Sequence, residues 1–372
     1  MKQLLAYCLS IILCVSFTGC MENYLDLYPE DKITSASFPE NESDIKLLLN
    51  GVYAQLREKE VYNQGLFGFG ITDGATPNAF NWGTDEVFNK LGAGRLSSSD
   101  GGVVTYRWKR CYEIISRANY LLACMDLVDL SEEAKAKYSG ETHFLRGLAY
   151  SVLAETYGGV PIILTNISTE EARSLKRASL EETWQQALDD YEVAITNLGV
   201  DAPEPGRATK GAALGMKMRA YLYQGKYKEV LACVEQIDAL KKYGLFHSYE
   251  GLFDPANENN KEVLFDIQYI EGENSQGSYI DQYCGTGTGS WTRGSRYVPT
   301  DDLVAAYETI DGSPVDPENP YENRDPRLGF TAVLPGSYFL GYRFPNYLYP
   351  GGAFNHAGNR LKHLSTRKYR IQ

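Results

Sequence analysis

Helical hydrophobic periodicity constrains the fold of this chain more than any other feature. From Tyr106 to Lys241, with breaks, apolar side chains return every three or four positions, the spacing of one buried helix face. Thr209 to Gln224 and Tyr227 to Leu240 are predicted as two helices hinged at Gly225-Lys226, and such a pair resembles a tetratricopeptide unit. Several such pairs in series predict a mostly α fold, an α-α superhelix of tetratricopeptide-like helical repeats.

Local capping signals set the predicted helix boundaries. A helix from Asp44 to Leu56 is expected behind a cap at Ser43, and a long helix begins at Ser131. Another helix is capped near Ser179, with Glu182 three residues further on, which is the spacing of a capping box. These short-range signals divide the periodic stretch into separate helices.

Long irregular segments interrupt and follow the helices. Residues 65–102 are rich in Gly, Asn and Asp, and residues 272–295 are rich in Gly, Ser and Thr. Glu262 to Ile267 is a short β-like run, and Asp301 to Tyr307 is predicted as a short helix. The expected fold therefore has long irregular loops and a few short strands beside its helices. Structureless stretches of this length within a domain are usually functional.

The N-terminus has the pattern of a bacterial lipoprotein signal. Lys2 precedes an apolar run from Leu4 to Phe17, and the small residues Thr18-Gly19 lead to Cys20. Cleavage before Cys20 would leave that cysteine as a lipidated N-terminus. We therefore expect a signal peptide at residues 1–20 and an extended tether at residues 21–40. The alternative is an ordinary secretory peptide with Cys20 as an incidental residue.

Composition excludes several classes of function. The formal net charge is -12, and such an acidic surface repels phosphate backbones, so nucleic-acid binding is not expected. The cysteines outside the signal form no CxxC pair, so neither a metal site nor a cofactor is predicted. The chain has 28 Tyr against 14 Phe, which suits an aromatic binding surface or tyrosine-rich helix packing, and composition does not separate the two.

Catalytic motifs are poorly represented. Asp301-Asp302 and Asp311 can supply paired carboxylates of the kind that glycoside hydrolysis uses, but adjacent aspartates at a helix start are typical caps. The Gly-rich run from Gly285 to Gly289 lacks the lysine of a phosphate loop. We therefore expect that the chain is not an enzyme.

Eight separated motifs occur in an order that resembles the SusD/RagB-type nutrient-binding lipoproteins of Bacteroidetes, and they span nearly all of the chain after the signal. They are Tyr24-Leu25-Asp26, Ile115-Ser116-Arg117-Ala118-Asn119, Phe144-Leu145-Arg146-Gly147-Leu148-Ala149-Tyr150, Tyr157-Gly158-Gly159-Val160-Pro161, Gly206-Arg207-Ala208-Thr209-Lys210-Gly211-Ala212-Ala213, Asn260-Lys261-Glu262-Val263-Leu264, Pro299-Thr300-Asp301-Asp302-Leu303 and Asn323-Arg324-Asp325-Pro326-Arg327.

The resemblance implies one SusD-like domain over residues 41–372. Its helical-repeat body would cover residues 41–245, and its loop-rich binding region would cover residues 246–372. Members of the family typically continue beyond a segment like Arg367-Lys368-Tyr369, so we expect the C-terminal helices of the family to be missing here. The motifs themselves are expected to serve the scaffold, with Arg117 and Arg146 donating several hydrogen bonds to neighbouring helix ends.

Two loops combine aromatic and polar residues in the way that sugar receptors do, since a sugar ring offers apolar faces and a hydroxyl rim. SusD-like proteins place an aromatic arc for glycan on such loops. The first loop runs from Asp73 to Asp85 and the second from Tyr279 to Tyr297. The candidate ligand-binding residues are Asp73, Asn78, Asn81 and Trp82 in the first loop and Tyr283, Trp291, Arg293 and Tyr297 in the second. Alternatively, Trp82 and Trp291 anchor their loops to the core.

The resemblance implies a surface-exposed lipoprotein of the outer membrane that captures a glycan nutrient and delivers it to a TonB-dependent transporter of the SusC type. The ligand would be an oligosaccharide or polysaccharide, and the lipid on Cys20 would hold the protein to the membrane. The two alternatives are a helical-repeat scaffold that binds only protein partners and a secreted glycan-cleaving enzyme.

Overall fold

The computed structural model describes residues 38–58, 73–81, 90–97, 99–269, 297–339, 342–343 and 365–366. Within these ranges the protein is mostly helical, as predicted. Its α-helices are α1 (Glu42–Ala54), α2 (Val103–Cys124), α3 (Glu132–Tyr157), α4 (Thr169–Ser174), α5 (Leu180–Asn197), α6 (Lys210–Tyr223), α7 (Tyr227–Ala239), α8 (Asp301–Ala306) and α9 (Arg327–Thr331). The predicted signal peptide and most of the tether lie outside the described residues.

Among the residues that the structure describes, short strands form three antiparallel pairs. The strands are β1 (Ala79–Asn81), β2 (Tyr297–Pro299), β3 (Ala332–Val333), β4 (Tyr338–Phe339), β5 (Tyr342–Arg343) and β6 (Ser365–Thr366). β1 pairs with β2, β3 with β6, and β4 with β5. Each pair is too short to form a core of its own, so the strands serve mainly to join loops.

Capping side chains begin the helices of the body. Ser131 accepts a hydrogen bond from the Ala134 amide at the start of α3, and Ser179 and Glu182 form the predicted capping box of α5. The predicted cap of α1 is wrong. The side chain of Asn41, rather than that of Ser43, accepts from the Asp44 amide, so α1 begins two residues earlier than expected.

α3 lies at the centre of the core. It packs against α1, α2 and α5, while α5 packs against α6 and α6 against α7, so that neighbours along the chain are neighbours in space. Phe144, Tyr150 and Tyr191 are the largest fully buried side chains of the packed helices. This serial packing of helices agrees with the predicted mostly α fold of helical repeats.

A glycine permits the close approach of α3 to α5. A β-carbon on Gly147 would lie 2.9 Å from Cε1 of Tyr191 and 3.2 Å from the carbonyl oxygen of Ala187. Tyr191 is fully buried and cannot withdraw. The two helices therefore meet at a distance that only glycine allows.

One local prediction is wrong, and one short helix was not predicted. Glu262 to Ile267 forms no strand with any described residue, although Phe265 and Ile267 pack against the core, because a short apolar run indicates burial and not a partner strand. The short helix α4 has no buried residue and so lacks the apolar period that would have predicted it, although Ser168 and Glu171 form its capping box.

None of the described helices has an apolar stretch long enough to cross a membrane.

Candidate functional site

The two loops that carry the candidate residues meet in a two-stranded ribbon. In the β1–β2 pair, Ala79 faces Pro299, Phe80 faces Val298 and Asn81 faces Tyr297. Asn81 and Tyr297, which the sequence predicted for two different loops, therefore occupy one cross-strand position.

Thr300 extends the junction beyond the last strand pair. Its backbone amide donates to the carbonyl oxygen of Asn78 over 3.0 Å, and its hydroxyl donates to the carbonyl oxygen of Pro77. The same hydroxyl accepts from the Leu303 amide over 3.1 Å and so caps α8. The start of α8 is thereby joined to the first loop.

A compact turn places Asp73 and Asn78 before β1. The Asp73 carbonyl oxygen accepts from the Thr76 amide over 3.0 Å and from the Thr76 hydroxyl over 2.8 Å, and the Asn78 amide donates to that hydroxyl over 3.2 Å. Asp73 is half-buried, and Asn78 is exposed. The Asn78 backbone is thus fixed while its side chain faces solvent.

The structure places only part of the predicted site. For Asn81 and Tyr297 it describes the backbone, and Trp82, Tyr283, Trp291 and Arg293 lie outside the described residues, as does Cys20. Trp82 nevertheless follows Asn81 directly, and Arg293 precedes Tyr297 by four residues, a span of at most about 14 Å in an extended chain. The ribbon thus brings together the backbones from which both groups extend.

The acidic residues after the ribbon have local structural roles at a helix start and in a turn. Asp301 and Asp302 occupy the first turn of α8, where carboxylates are favoured by the helix dipole. Hydrogen bonds from Ser313 lower the pKa of Asp311 to about 2. A general acid of glycoside hydrolysis needs a raised pKa, so Asp311 is unsuited to that role.

Among the described residues, no three His, Cys, Asp or Glu side chains are grouped to hold a metal ion.

Arg146 is a scaffold residue, as predicted, but its partners are side chains and not helix ends. Its guanidinium donates to Asp190 of α5 over 2.7 and 3.0 Å and to the Asn119 side-chain oxygen of α2 over 2.8 Å. Asn119 in turn donates to the Ile163 carbonyl oxygen over 2.9 Å. Arg117 was predicted to donate hydrogen bonds to neighbouring helix ends. This prediction is wrong, because Arg117 is exposed on α2.

A second buried network joins α1 and α3 to the loop before α6. Glu141 accepts from the Tyr53 hydroxyl over 2.7 Å and pairs with Arg207 over 3.5 Å, while the Ala208 amide donates to the same hydroxyl over 3.0 Å. Burial raises the pKa of Glu141, against the hydrogen bond from Tyr53 and the charge of Arg207. Burial likewise raises the pKa of Tyr53. Arg207, in its family-like motif, therefore acts in the scaffold.

Sequence reasoning missed the residues that join the loops. Thr300 and Pro77 are 223 positions apart, and no local pattern pairs them. Arg324 was singled out only as part of a motif, yet its guanidinium donates to the carbonyl oxygens of Val304 and Tyr307 at the end of α8. The available signal for Thr300 was its position before two acidic residues, which marks a helix cap.

Known proteins resemble this chain in both sequence and structure. Residues 23–222 match the family model described as "Starch-binding associating with outer membrane", and residues 261–370 match the model described as "SusD family". The chain is 26% identical to "SusD-like protein P25" of Formosa agariphila over 321 residues, which cover 80% of this chain and 58% of that protein. It therefore spans less than two thirds of the length of this relative.

Two solved structures from Bacteroides fragilis share the fold. One, described as a SusD-like carbohydrate binding protein, superposes with a TM-score of 0.74 and 25% identity over 88% of this chain and 67% of its own. The other, a SusD-like protein, gives a TM-score of 0.71 and 26% identity over 84% of this chain and 64% of its own. Because the first family model alone matches more than half of the sequence, this chain belongs to the SusD family.

Proposed function

We propose that this protein binds a glycan at the junction of its two loops and acts as a surface lipoprotein of the outer membrane. Trp82 and Trp291 would stack on successive sugar rings, and Asn81 and Arg293 would hydrogen-bond ring hydroxyls. Asp73, Asn78, Tyr283 and Tyr297 would complete the site. The ligand would be an oligosaccharide or polysaccharide.

The single observation that carries this proposal is the β1–β2 pairing. Two polar, aromatic-bearing loops more than 200 residues apart in sequence are held side by side, with Asn81 opposite Tyr297. A binding site for an extended sugar chain needs several aromatic and polar groups along one surface, and the ribbon supplies a common base for them.

The comparisons support the same ligand class. The matching family model is described as starch-binding and associated with the outer membrane, and the solved relative of 25% identity is described as a carbohydrate binding protein. Delivery of the glycan to a TonB-dependent transporter of the SusC type is part of the proposal. So is attachment to the membrane through lipid on Cys20.

Affinity electrophoresis and calorimetry over a panel of polysaccharides test the site. Wild type should bind at least one member of the panel, and Trp82→Ala and Trp291→Ala should each weaken binding. Loss of one aromatic stack contributes about 1 kcal/mol beyond area burial, which is roughly a fivefold change in Kd.

Tyr227→Ala is the matched control, because Tyr227 is an exposed aromatic residue on α7 with 66% of its surface accessible. This variant should keep wild-type affinity. If wild type bound no glycan in the panel, the alternative function, a helical-repeat scaffold that binds only protein partners, would be favoured. If both tryptophan variants folded and kept full affinity, the site would lie elsewhere.

A further inference from the structure

Next to the β1–β2 pair, Thr300 connects the described part of the first loop to the start of α8. Its amide and its hydroxyl donate to consecutive carbonyl oxygens of the first loop, those of Asn78 and Pro77. The hydroxyl oxygen also accepts from the Leu303 amide in the first turn of α8. The Thr300 side chain therefore binds the first loop and caps α8 at the same time.

This arrangement sets the register of the ribbon. The bond from the Thr300 amide continues the β1–β2 ladder by one step past the Ala79–Pro299 pair. Because Thr300 and Asn78 are hydrogen-bonded to each other, Ala79 and Pro299 form a non-hydrogen-bonded pair, and Pro299 is tolerated there without an amide hydrogen. Thr300 supplies the next donor and adds a second one from its side chain. A slip of one residue would place a different residue of the first loop opposite Tyr297.

We propose that Thr300 is a positioning residue of the glycan site. It fixes the register in which the two binding loops pair and does not touch the sugar. The inference rests on the proposed function, because it assigns to Thr300 a role in the affinity of that site. Its geometric part, the locking of the first loop onto the start of α8, stands independently of any ligand.

Threonine suits this position for a chemical reason. Only a hydroxyl can donate to the Pro77 carbonyl and accept from the Leu303 amide with the same atom. Valine has nearly the same shape but lacks both functions, so Thr300→Val removes the bonds and keeps the volume. Serine keeps the hydroxyl, so Thr300→Ser should restore them.

Thr209→Val is the matched control. Thr209 caps α6 through the same kind of bond, from the Ala212 amide over 3.1 Å, and its hydroxyl also pairs with the Tyr243 hydroxyl over 3.1 Å rather than with a carbonyl of the first loop. Both valine variants lose a helix cap. A general loss of stability would thus affect both, whereas a positioning role would appear only in Thr300→Val.

Two measurements on the full chain test the proposal. Hydrogen exchange should show faster exchange of the amides of residues 78–81 in Thr300→Val than in wild type, Thr300→Ser or Thr209→Val. Calorimetry with the polysaccharide that wild type binds should show affinity reduced roughly three- to tenfold in Thr300→Val, the effect of about one lost hydrogen bond. Thr300→Ser and Thr209→Val should bind like wild type.

The outcomes separate this proposal from the proposed function. Unchanged exchange of residues 78–81 in folded Thr300→Val would overturn the positioning role, whatever the glycan affinity. Faster exchange with unchanged affinity would overturn it as well, while leaving glycan binding intact. Absence of glycan binding by wild type would overturn both the proposed function and the role of Thr300 in affinity. Hydrogen exchange would then report only on the hydrogen bonds by which Thr300 joins the first loop to α8.

Discussion

Arg146 and Asp190 form a bidentate ion pair between α3 and α5 from which solvent is almost excluded. The Arg146 side chain is 7% accessible and that of Asp190 is 2%, with 2.7 Å between the guanidinium Nη2 and Oδ1. Asn119 occupies a further donor of the same guanidinium. Three helices of the body therefore meet at one planar cation, a role that lysine cannot fill because its ammonium lacks the fork of donors.

Removing either charge of this pair should destabilise the protein strongly, because the remaining charge stays buried. We expect Asp190→Asn or Arg146→Met to lower the free energy of unfolding by about 3–5 kcal/mol in urea denaturation. The exposed pair of Arg173 and Glu170 provides the control, and Arg173→Met should leave the unfolding midpoint nearly unchanged. Equal effects of the buried and exposed substitutions would contradict this assignment.

The stability of the protein should depend on the ionisation of Glu141. Burial raises the pKa of Glu141 above the ordinary glutamate value of 4.5, so its contribution is fully present below that pH and is lost as the pH rises through the folded-state pKa. Unfolding measured from pH 4 to 8 should therefore show wild type losing stability relative to Glu141→Gln as pH increases.

Tyr53→Phe sharpens the test of Glu141. The hydrogen bond from Tyr53 lowers the pKa of Glu141, so its removal should enlarge the pH dependence. A difference between wild type and Glu141→Gln that stays constant over the whole pH range would show that Glu141 does not titrate differently in the folded state.

Two helix-interior glycines should respond oppositely to alanine. Gly147→Ala should destabilise the protein by about 1–3 kcal/mol, because its β-carbon would press on buried Tyr191. Gly51→Ala in α1 should stabilise it by up to about 1 kcal/mol, because the nearest atom is 3.6 Å away and alanine is the better helix former. Denaturation midpoints that shift in the same direction for both variants would refute the packing argument.

Lipid attachment should depend on Cys20 alone. Metabolic labelling with a fatty-acid analogue in a bacterium that processes lipoproteins should label wild type and Cys8→Ala, and should not label Cys20→Ala. Several acyl chains give stable membrane anchoring where one is marginal, so Cys20→Ala should also leave the membrane fraction. Equal labelling of all three proteins would favour the ordinary secretory peptide.

Local signals predicted the helical body well, since caps and stops act within a few residues. Helices begin at Ser131 and Thr209 as predicted, with both residues as caps, and Ser179 is the predicted cap of α5. Ser and Asn are both good N-cap residues, so sequence alone does not say whether Asn41 or Ser43 caps α1. Boundaries were therefore accurate to within about two residues where several polar residues compete.

Long-range relations escaped sequence reasoning because nothing local encodes them. Arg146 and Asp190 lie 44 positions apart, and the β1–β2 register joins residues more than 200 positions apart. Composition and chemistry indicated the two candidate loops, whereas their contact through Asn81 and Tyr297 emerges only in the folded structure. The same limit explains why the β-like run from Glu262 to Ile267 was assigned a strand.

The two ends of α8 have a consequence for the order of folding. Six residues are too few for a stable isolated helix, since helices shorter than about 12 residues are marginal in water. Its first turn depends on Thr300, which also binds the distant first loop, and its last carbonyls depend on Arg324. α8 can therefore form only after chain segments from three regions have come together. It should assemble late, open early and exchange its amide hydrogens well before the centre of α3 does.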